Sequence, residues 1–246
     1  MPNCGPARLL LEFSMRPFVF INVATTLDGK LAPENRKFVP FGSKHDLDLL
    51  YDLRARADAV LMGARTVDSA PGHYGPGPAK YCRMRIKRGL PEYNLRVIVS
   101  GRGTLSPKSD IFRYRFSPII VLTSGRASVR NLRRLRAVAD DVEIFGDAEM
   151  DFKAAFHWLE RKWHVKKILC EGGGELNTAL IRQNLVDEIY VTICPLIFGG
   201  RAAPTMADGA GVRSVAEATR VKLKSMKRVG QELFLVYRVQ AAGRSG

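Results

Sequence analysis

The sequence predicts an α/β fold: a mostly parallel mixed sheet with an antiparallel C-terminal edge and helices on both faces. Three observations predict it. Through the middle of the chain, short apolar β-branched runs alternate with amphipathic segments of helix length, the pattern of parallel strands joined by crossovers. Beyond Glu188 the strands follow one another without strong helices between them, which describes antiparallel pairing. Finally, 246 residues with 46% hydrophobic content suffice for one large core, and no repeat or composition break marks a second domain.

Residues 1–14 are expected to form an unstructured tail ahead of a single domain over residues 15–242, with Met15 a candidate start. The first strand is Phe18-Val19-Phe20-Ile21-Asn22-Val23. Ser43 then caps a helix to about Ala57, on which Leu47, Leu50 and Leu53 repeat at helical spacing and Asp46 completes a box-like cap. Ala59 to Met62 form a short strand. Pro71 to Pro78 hold three glycines and three prolines, a composition that only a loop accepts. Strands follow at Arg96–Val99, Ile119–Thr123, Val142–Phe145 and Lys167–Cys170. Helices fit at Ser128–Ala139, Asp151–Trp163 and Glu175–Gln183. The last strands are Glu188–Ile193, Val221–Lys227 and Glu232–Val239.

No apolar run approaches the ~20 residues of a membrane helix. Cys4, Cys82, Cys170 and Cys194 are far apart and form no CxxC pair, so neither a disulfide framework nor a metal site is expected, and a reducing cytoplasm fits. The net charge of +15 raises a nucleic-acid reading. Against it, the basic runs Lys80–Arg88, Arg126–Arg136, Arg161–Lys167 and Arg220–Arg228 are separate and read mostly as solvated faces of helices or strands. No nucleic-acid signature accompanies them, and a basic surface equally suits small anionic substrates.

Three turns carry chemistry. Cys170-Glu171-Gly172-Gly173-Gly174-Glu175-Leu176-Asn177 ends a buried strand and opens a helix, where glycines let backbone amides approach a pyrophosphate. The same run is equally a tight structural turn, and it is not the GxGxxG fingerprint of a Rossmann domain. Leu61-Met62-Gly63-Ala64-Arg65-Thr66-Val67 repeats the strand-to-helix arrangement with a guanidinium and a hydroxyl suited to phosphate oxygens; alternatively Thr66 only caps and Arg65 is only a surface charge. Ser100-Gly101-Arg102-Gly103 offers a hydroxyl, amides and a guanidinium that could grip a ribose 2′-phosphate.

Together these turns resemble, in order, the three NADPH-binding turns of dihydrofolate reductases. More specifically, Asn22-Val23-Ala24-Thr25-Thr26-Leu27-Asp28-Gly29-Lys30, the helix end Leu53-Arg54-Ala55, the glycine turn, Leu185-Val186-Asp187-Glu188, Pro195–Gly200 and Ala203-Pro204-Thr205 resemble the riboflavin-pathway pyrimidine reductases. The similarity spans roughly residues 17 to 239. It implies a dihydrofolate-reductase-like fold, NADPH as cofactor, and reduction at C1′ of a ribosylamino pyrimidine 5′-phosphate to the ribitylamino form by a homodimer. Carried over by residue, it implies cofactor contacts from Ala24, Thr66, Ser100 and the turn Gly172, Gly173, Gly174, Glu175 and Leu176, to which the turns themselves add Gly63, Arg65, Gly101 and Arg102 as candidates. Substrate contacts fall to Asn22, Thr26, Arg54 and Glu171, a carboxylate being suited to ring N–H and amino groups. Asp28 and Lys30 are the catalytic candidates, Lys30 for phosphate and Asp28 for a sugar hydroxyl or proton transfer; the other reading is an Asp-Gly turn with a solvated lysine.

The chain departs from the family after Thr66, where an aspartate is usual four residues on and this sequence has Ala70. Asp68, Ser69, His73 or Tyr74 then offer substitute polar groups, although a lone loop histidine is usually a surface residue. The HxE and PCxxC signatures of the zinc deaminase domain of bifunctional relatives do not occur, so no deamination is expected. Two rival readings stand: a reductase of a pterin, folate or other pyrimidine on the same fold, and a basic nucleic-acid-binding protein.

Overall fold

The computed structural model describes residues 16–240 except Phe38 and Pro71; the expected N-terminal tail and Met15 lie outside the described residues. Alternating buried positions and β-branched residues make the strands β1 (Phe18–Thr26), β2 (Ala59–Gly63), β3 (Leu95–Val99), β4 (Ile119–Thr123), β5 (Asp141–Ile144), β6 (Lys167–Cys170), β7 (Glu188–Cys194), β8 (Val221–Val229) and β9 (Glu232–Val239). The helices are α1 (Lys44–Arg54), α2 (Ala64–Ser69), α3 (Ala79–Lys87), α4 (Val129–Arg136), α5 (Phe152–Trp163) and α6 (Gly174–Arg182). Ser128 and Asp151 cap α4 and α5 through their side-chain oxygens, accepting from the amides of Asn131 and Ala154.

All nine strands join one sheet in the order β5-β4-β3-β2-β6-β1-β7-β9-β8. The pairs from β5 to β7 are parallel, and β7, β9 and β8 pair antiparallel, as the sequence predicts. From β2 the chain steps outward through β3 and β4 to β5. It then returns through α5 to insert β6 between β2 and β1, and crosses β1 through α6 to reach β7.

The two faces of the sheet have separate cores. Val19, Ile21, Leu61, Val97, Ile120 and Ile168 pack against Phe156 and Leu159 of α5 and Leu180 of α6. On the other face, Val60, Met62, Ile98 and Val121 pack on Val67 of α2 and Leu132 and Leu135 of α4, while Phe20 and Leu169 pack on Leu53 of α1. Consecutive residues of one strand thus enter different cores, the period-two signature of a sheet covered on both sides.

One expectation about α1 is corrected. The N-cap is Ser43, whose hydroxyl accepts from the amides of His45 and Asp46, but Asp46 does not close a capping box. The Ser43 amide donates instead to Glu232 Oε1 of β9 at 2.7 Å, and the Ser43 hydroxyl donates to Glu232 Oε2. Asp46 is turned into the protein, where burial raises its carboxyl above the ordinary value and Glu232 adds to the effect.

Part of the basic run Lys80–Arg88 is interior. It forms α3, an element missing from the sequence reading. Arg85 is fully buried and donates to the carbonyls of Pro91 at 2.8 Å, Arg54 at 2.9 Å and Ala57. Asn94 Nδ2 donates to the Arg54 and Ala57 carbonyls at 2.7 Å each. Carbonyls at a helix C-terminus have no partner within the helix, so side chains remote in sequence supply the donors here. Desolvation lowers the Arg85 guanidinium to about 10, since no carboxylate is hydrogen-bonded to it.

Arg85→Ala should therefore lower the free energy of unfolding by about 2–3 kcal/mol in urea titrations, and Arg85→Lys should restore less than half of that, because an ammonium cannot serve three divergent carbonyls as a planar fork does. An unchanged unfolding midpoint would show that Asn94 alone completes the end of α1.

Candidate active site

Parallel strands deliver their carboxyl ends to one edge of the sheet. Order along that edge follows strand order: Ser100 after β3, Gly63 at the end of β2, Glu171 after β6, and Ala24 to Thr26 at the end of β1. Connections leave β2 and β6, which are neighbours, toward opposite faces of the sheet, with α2 in one core and α6 in the other. Such a switch opens a crevice at the strand ends, the usual ligand position in open α/β sheets.

The crevice floor is backbone. The Gly63 amide donates to the Gly172 carbonyl at 3.0 Å, and the Glu171 amide donates to the Leu61 carbonyl at 3.0 Å. Gly172 has φ +84°, a conformation side-chain-bearing residues rarely adopt, and the Gly172–Gly173 peptide is cis. The three glycines have different duties. A Cβ on Gly173 would meet only the Thr66 hydroxyl, at 3.5 Å, so the fold leaves space there. A Cβ on Gly174 would lie 2.4 Å from the Thr205 carbonyl and 2.6 Å from Asp208 Oδ2. Gly174 is thus required by close packing of the 205–208 segment, whereas Gly173 lines open space.

Arg54 and Glu171 are found together, nearly buried, in a two-point ion pair: Nε to Oε1 at 2.6 Å and Nη2 to Oε2 at 2.7 Å. Arg54 Nη1 donates to the Gly75 carbonyl at 2.9 Å, and the rings of Tyr51 and Tyr74 lie 5.9 Å and 5.7 Å from the guanidinium carbon. Burial opposes the Arg54 charge, yet the charge and hydrogen bonds of Glu171 outweigh it and hold the group above its ordinary value. Each carboxylate oxygen spends one acceptor position on Arg54 and keeps another for a ligand N–H. On β1, Asn22, Ala24 and Thr26 alternate on the face that Phe20 turns toward α1, the face from which Glu171 also reaches Arg54. Asn22 Oδ1 is buried without a hydrogen-bond partner, an acceptor left free beside the crevice.

Asp28 and Lys30 follow β1. Asp28 Oδ1 accepts from the Thr26 hydroxyl at 2.6 Å, and its carboxylate also takes the amides of Phe198 at 3.1 Å and Gly199 at 2.8 Å. The Thr26 hydroxyl, aided by those amides, holds the Asp28 carboxyl below its ordinary value despite an opposing desolvation effect. Asp28 thereby fastens the backbone at Phe198 and Gly199 to the turn that follows β1. Lys30 pairs through its backbone with Thr205, its amide donates to the Thr26 hydroxyl at 2.9 Å, and among the described residues its side chain has no ion-pair partner.

Several other candidates have partners within the fold. Arg65 and Glu175, both exposed, form an ion pair across the crevice from α2 to α6. Ser100 Oγ accepts from the Leu105 amide at 3.1 Å, and Gly101 O accepts from the Ser124 hydroxyl at 2.9 Å, while Arg102 is exposed and outside every ion pair among the described residues. Leu176 is buried in the α5–α6 core. In the departing loop, Asp68 accepts from Ser106 and Ser109, the Tyr74 hydroxyl donates to the Ala70 carbonyl at 3.0 Å, and His73 Nδ1 accepts from the Gly75 amide at 3.0 Å. These groups build the loop through their internal hydrogen bonds. Sequence reasoning missed Tyr51, Tyr74 and Gly75 as the setting of Arg54; the only signal was Tyr51, one helical turn before Arg54. Among the described residues, no group of three or more His, Cys, Asp or Glu could hold a metal ion.

A mostly parallel sheet with a strand-order switch and a glycine turn at its crevice is the arrangement of a dihydrofolate-reductase-like fold. Residues 17–235 match the family described as the RibD C-terminal domain, and the chain belongs to that family. It is 34% identical over 88% of its length to a 2,5-diamino-6-ribosylamino-4(3H)-pyrimidinone 5′-phosphate reductase of Archaeoglobus fulgidus, covering 95% of that protein. A protein of the same name from Methanothermobacter thermautotrophicus is 30% identical over 92% of this chain and 100% of its own length. A crystal structure of a pyrimidine reductase-like protein from Corynebacterium diphtheriae superposes with a TM-score of 0.74, at 23% identity, over 91% of this chain and 92% of that one.

Gly174→Ala should cost about 2 kcal/mol or more in stability by overpacking against Thr205, whereas Gly173→Ala should unfold at the parent midpoint. Equal melting temperatures for the two variants would remove the distinction between them.

Proposed function

We propose that this chain uses NADPH to reduce 2,5-diamino-6-ribosylamino-4(3H)-pyrimidinone 5′-phosphate to its ribitylamino form, as a single cytoplasmic reductase domain over residues 15–242. The observation that carries this reading is the Arg54–Glu171 pair, which holds a carboxylate with free acceptor positions at the mouth of the crevice, beside the glycine turn. An amino-pyrimidine presents the N–H groups that such a carboxylate takes. The names of the two relatives given above point to the same substrate.

The site suits a dinucleotide. The open space over Gly173, the free amides at the start of α6, and the Thr66 hydroxyl facing Gly173 fit a pyrophosphate. Ala24, Gly63, Thr66, Gly101 and Gly172 would border the cofactor, and Arg102 is the unpaired cation available for a 2′-phosphate. Bound NADPH supplies the hydride that reduces C1′. The remaining steps belong to the protein. Opening of the sugar ring leaves a C1′=N bond; hydride addition at C1′ and one proton at nitrogen give the ribitylamine. Lys30 bears the mobile proton or holds the sugar phosphate, Asp28 fixes the turn that carries Lys30, and Asn22 and Thr26 border the sugar.

Homodimerisation belongs to the same reading. β8 is an edge strand, eight of its nine residues are exposed, and Met226 is 66% accessible, so a second copy laid on it would cover apolar surface. Light scattering at micromolar concentration should give twice the chain mass, and a monomer mass would remove this part of the proposal.

NADPH oxidation should respond to the ribosylamino-pyrimidine phosphate and not to dihydrofolate, and the response should fall at least a hundredfold in Lys30→Ala. Gly173→Ala should lose NADPH binding by fluorescence titration while remaining folded, and Arg102→Ala should weaken NADPH about tenfold or more with NADH unchanged. A panel in which dihydrofolate alone is reduced would replace the substrate assignment.

A further inference from the structure

The loop that departs from the family pattern holds a residue whose chemistry reaches the ion pair. His73 Nδ1 accepts from the Gly75 amide at 3.0 Å, and the carbonyl of Gly75 accepts from Arg54 Nη1 at 2.9 Å. One glycine thereby joins the imidazole to the guanidinium that grips Glu171. Packing fixes the joint. A Cβ on Gly75 would lie 3.1 Å from His73 Nδ1 and 3.1 Å from the Phe116 ring, so the chain passes between two rings with no spare room. His73 itself meets Tyr114 and Phe116 edge to face, with centroids 5.6 Å and 5.7 Å away.

We propose that His73 is a positioning residue for the Arg54–Glu171 pair, acting through Gly75 and only as a neutral imidazole. This rests on the function proposed above for the pair. The chemistry requires it: a protonated imidazole has donors on both nitrogens and cannot accept from the Gly75 amide. That amide would then face an N–H, and the Gly75 carbonyl would be free to turn from Arg54.

The charges around His73 act in the same direction. Facing groups are Arg54 from α1 and Arg96 from β3, with the Tyr114 hydroxyl-bearing ring at its edge. Arg96 is fully buried and lies over the Phe116 ring at 4.2 Å. Desolvation first, then the Arg54 and Arg96 charges, lower the His73 value from the ordinary 6.5. The sign follows directly. Below pH 6.5 the unfolded chain takes up a proton that the folded chain resists, so stability contributed by neutral His73 is present above that pH and declines as pH falls toward the folded-state value. His73 is exposed, so the proton comes from bulk solvent without any opening of the fold.

Three proteins test this: the parent, His73→Asn and His73→Phe. Asparagine keeps an acceptor that bonds two residues on and does not titrate, whereas phenylalanine keeps the ring packing without the acceptor. The parent should lose kcat/KM for the pyrimidine substrate as pH falls below 6.5, mainly through KM for that substrate, with KM for NADPH unchanged. His73→Asn should keep the neutral-pH value and lose that acid limb. His73→Phe should be about tenfold lower in kcat/KM at every pH. An acid limb unchanged in His73→Asn, or parent activity in His73→Phe, overturns the proposal.

A readout without turnover separates this idea from the reaction assignment. In nitrogen-15 spectra the His73 imidazole should be the Nε2–H tautomer, and its titration should move the Arg54 Nε resonance. If the parent reduces no pyrimidine but this coupling is seen, the substrate reading fails and the positioning role stands; a His73 that titrates with Arg54 unmoved overturns the role whatever the substrate.

Discussion

Burying a guanidinium commits its surroundings. Arg54 sits at the end of α1 with its charge nearly out of solvent, and every donor on it must find an acceptor or cost stability. Glu171 takes two of them, the Gly75 carbonyl takes a third, and two tyrosine rings flank the plane. The backbone of the same residue is held as firmly, since its carbonyl accepts from Arg85 and Asn94. One residue therefore ties together the end of α1, the carboxyl end of β6, the glycine- and proline-rich loop and α3. The geometry of the crevice is set by satisfying that charge.

The sheet supplies the other half of the arrangement. β6 is inserted between β2 and β1, so the glycine turn that follows it opens beside the turn after β2 and beside the end of β1. Residues separated by more than a hundred positions in the chain become neighbours. The 198–205 segment then crosses the strand ends, fastened by Asp28 and packed against Gly174 through Thr205.

Much of this was legible in the sequence. Strand and helix positions followed from periodicity and, at Ser43, from a cap, because those signals are local. The turn motifs and the family resemblance pointed to segments that the strand order gathers at one edge. What stayed hidden were partnerships: that Arg54 grips Glu171, that Glu232 rather than Asp46 completes the cap of α1, and that Arg85 in a basic run is interior. Charge runs look alike in sequence whether their members face water or a helix terminus. The glycines were also indistinguishable there, since only three-dimensional neighbours tell Gly173, which borders space, from Gly174, which borders a carbonyl.

The insertion of β6 has a consequence for how the molecule comes into being. β1 emerges from the ribosome ahead of the other strands, yet its two partners are β6 and β7, and it never touches β2. Until Lys167 has been synthesised, β1 has no strand to pair with, while β2 to β5 can assemble as a four-stranded sheet with an uncovered edge at β2. The cap of α1 waits longer still, for a carboxylate 189 residues downstream of Ser43. A nascent chain thus carries an unpaired first strand and an open sheet edge through most of its synthesis, a period in which chaperone capture or mispairing between neighbouring chains competes with folding. The central strand closes the sheet and creates the crevice in the same event.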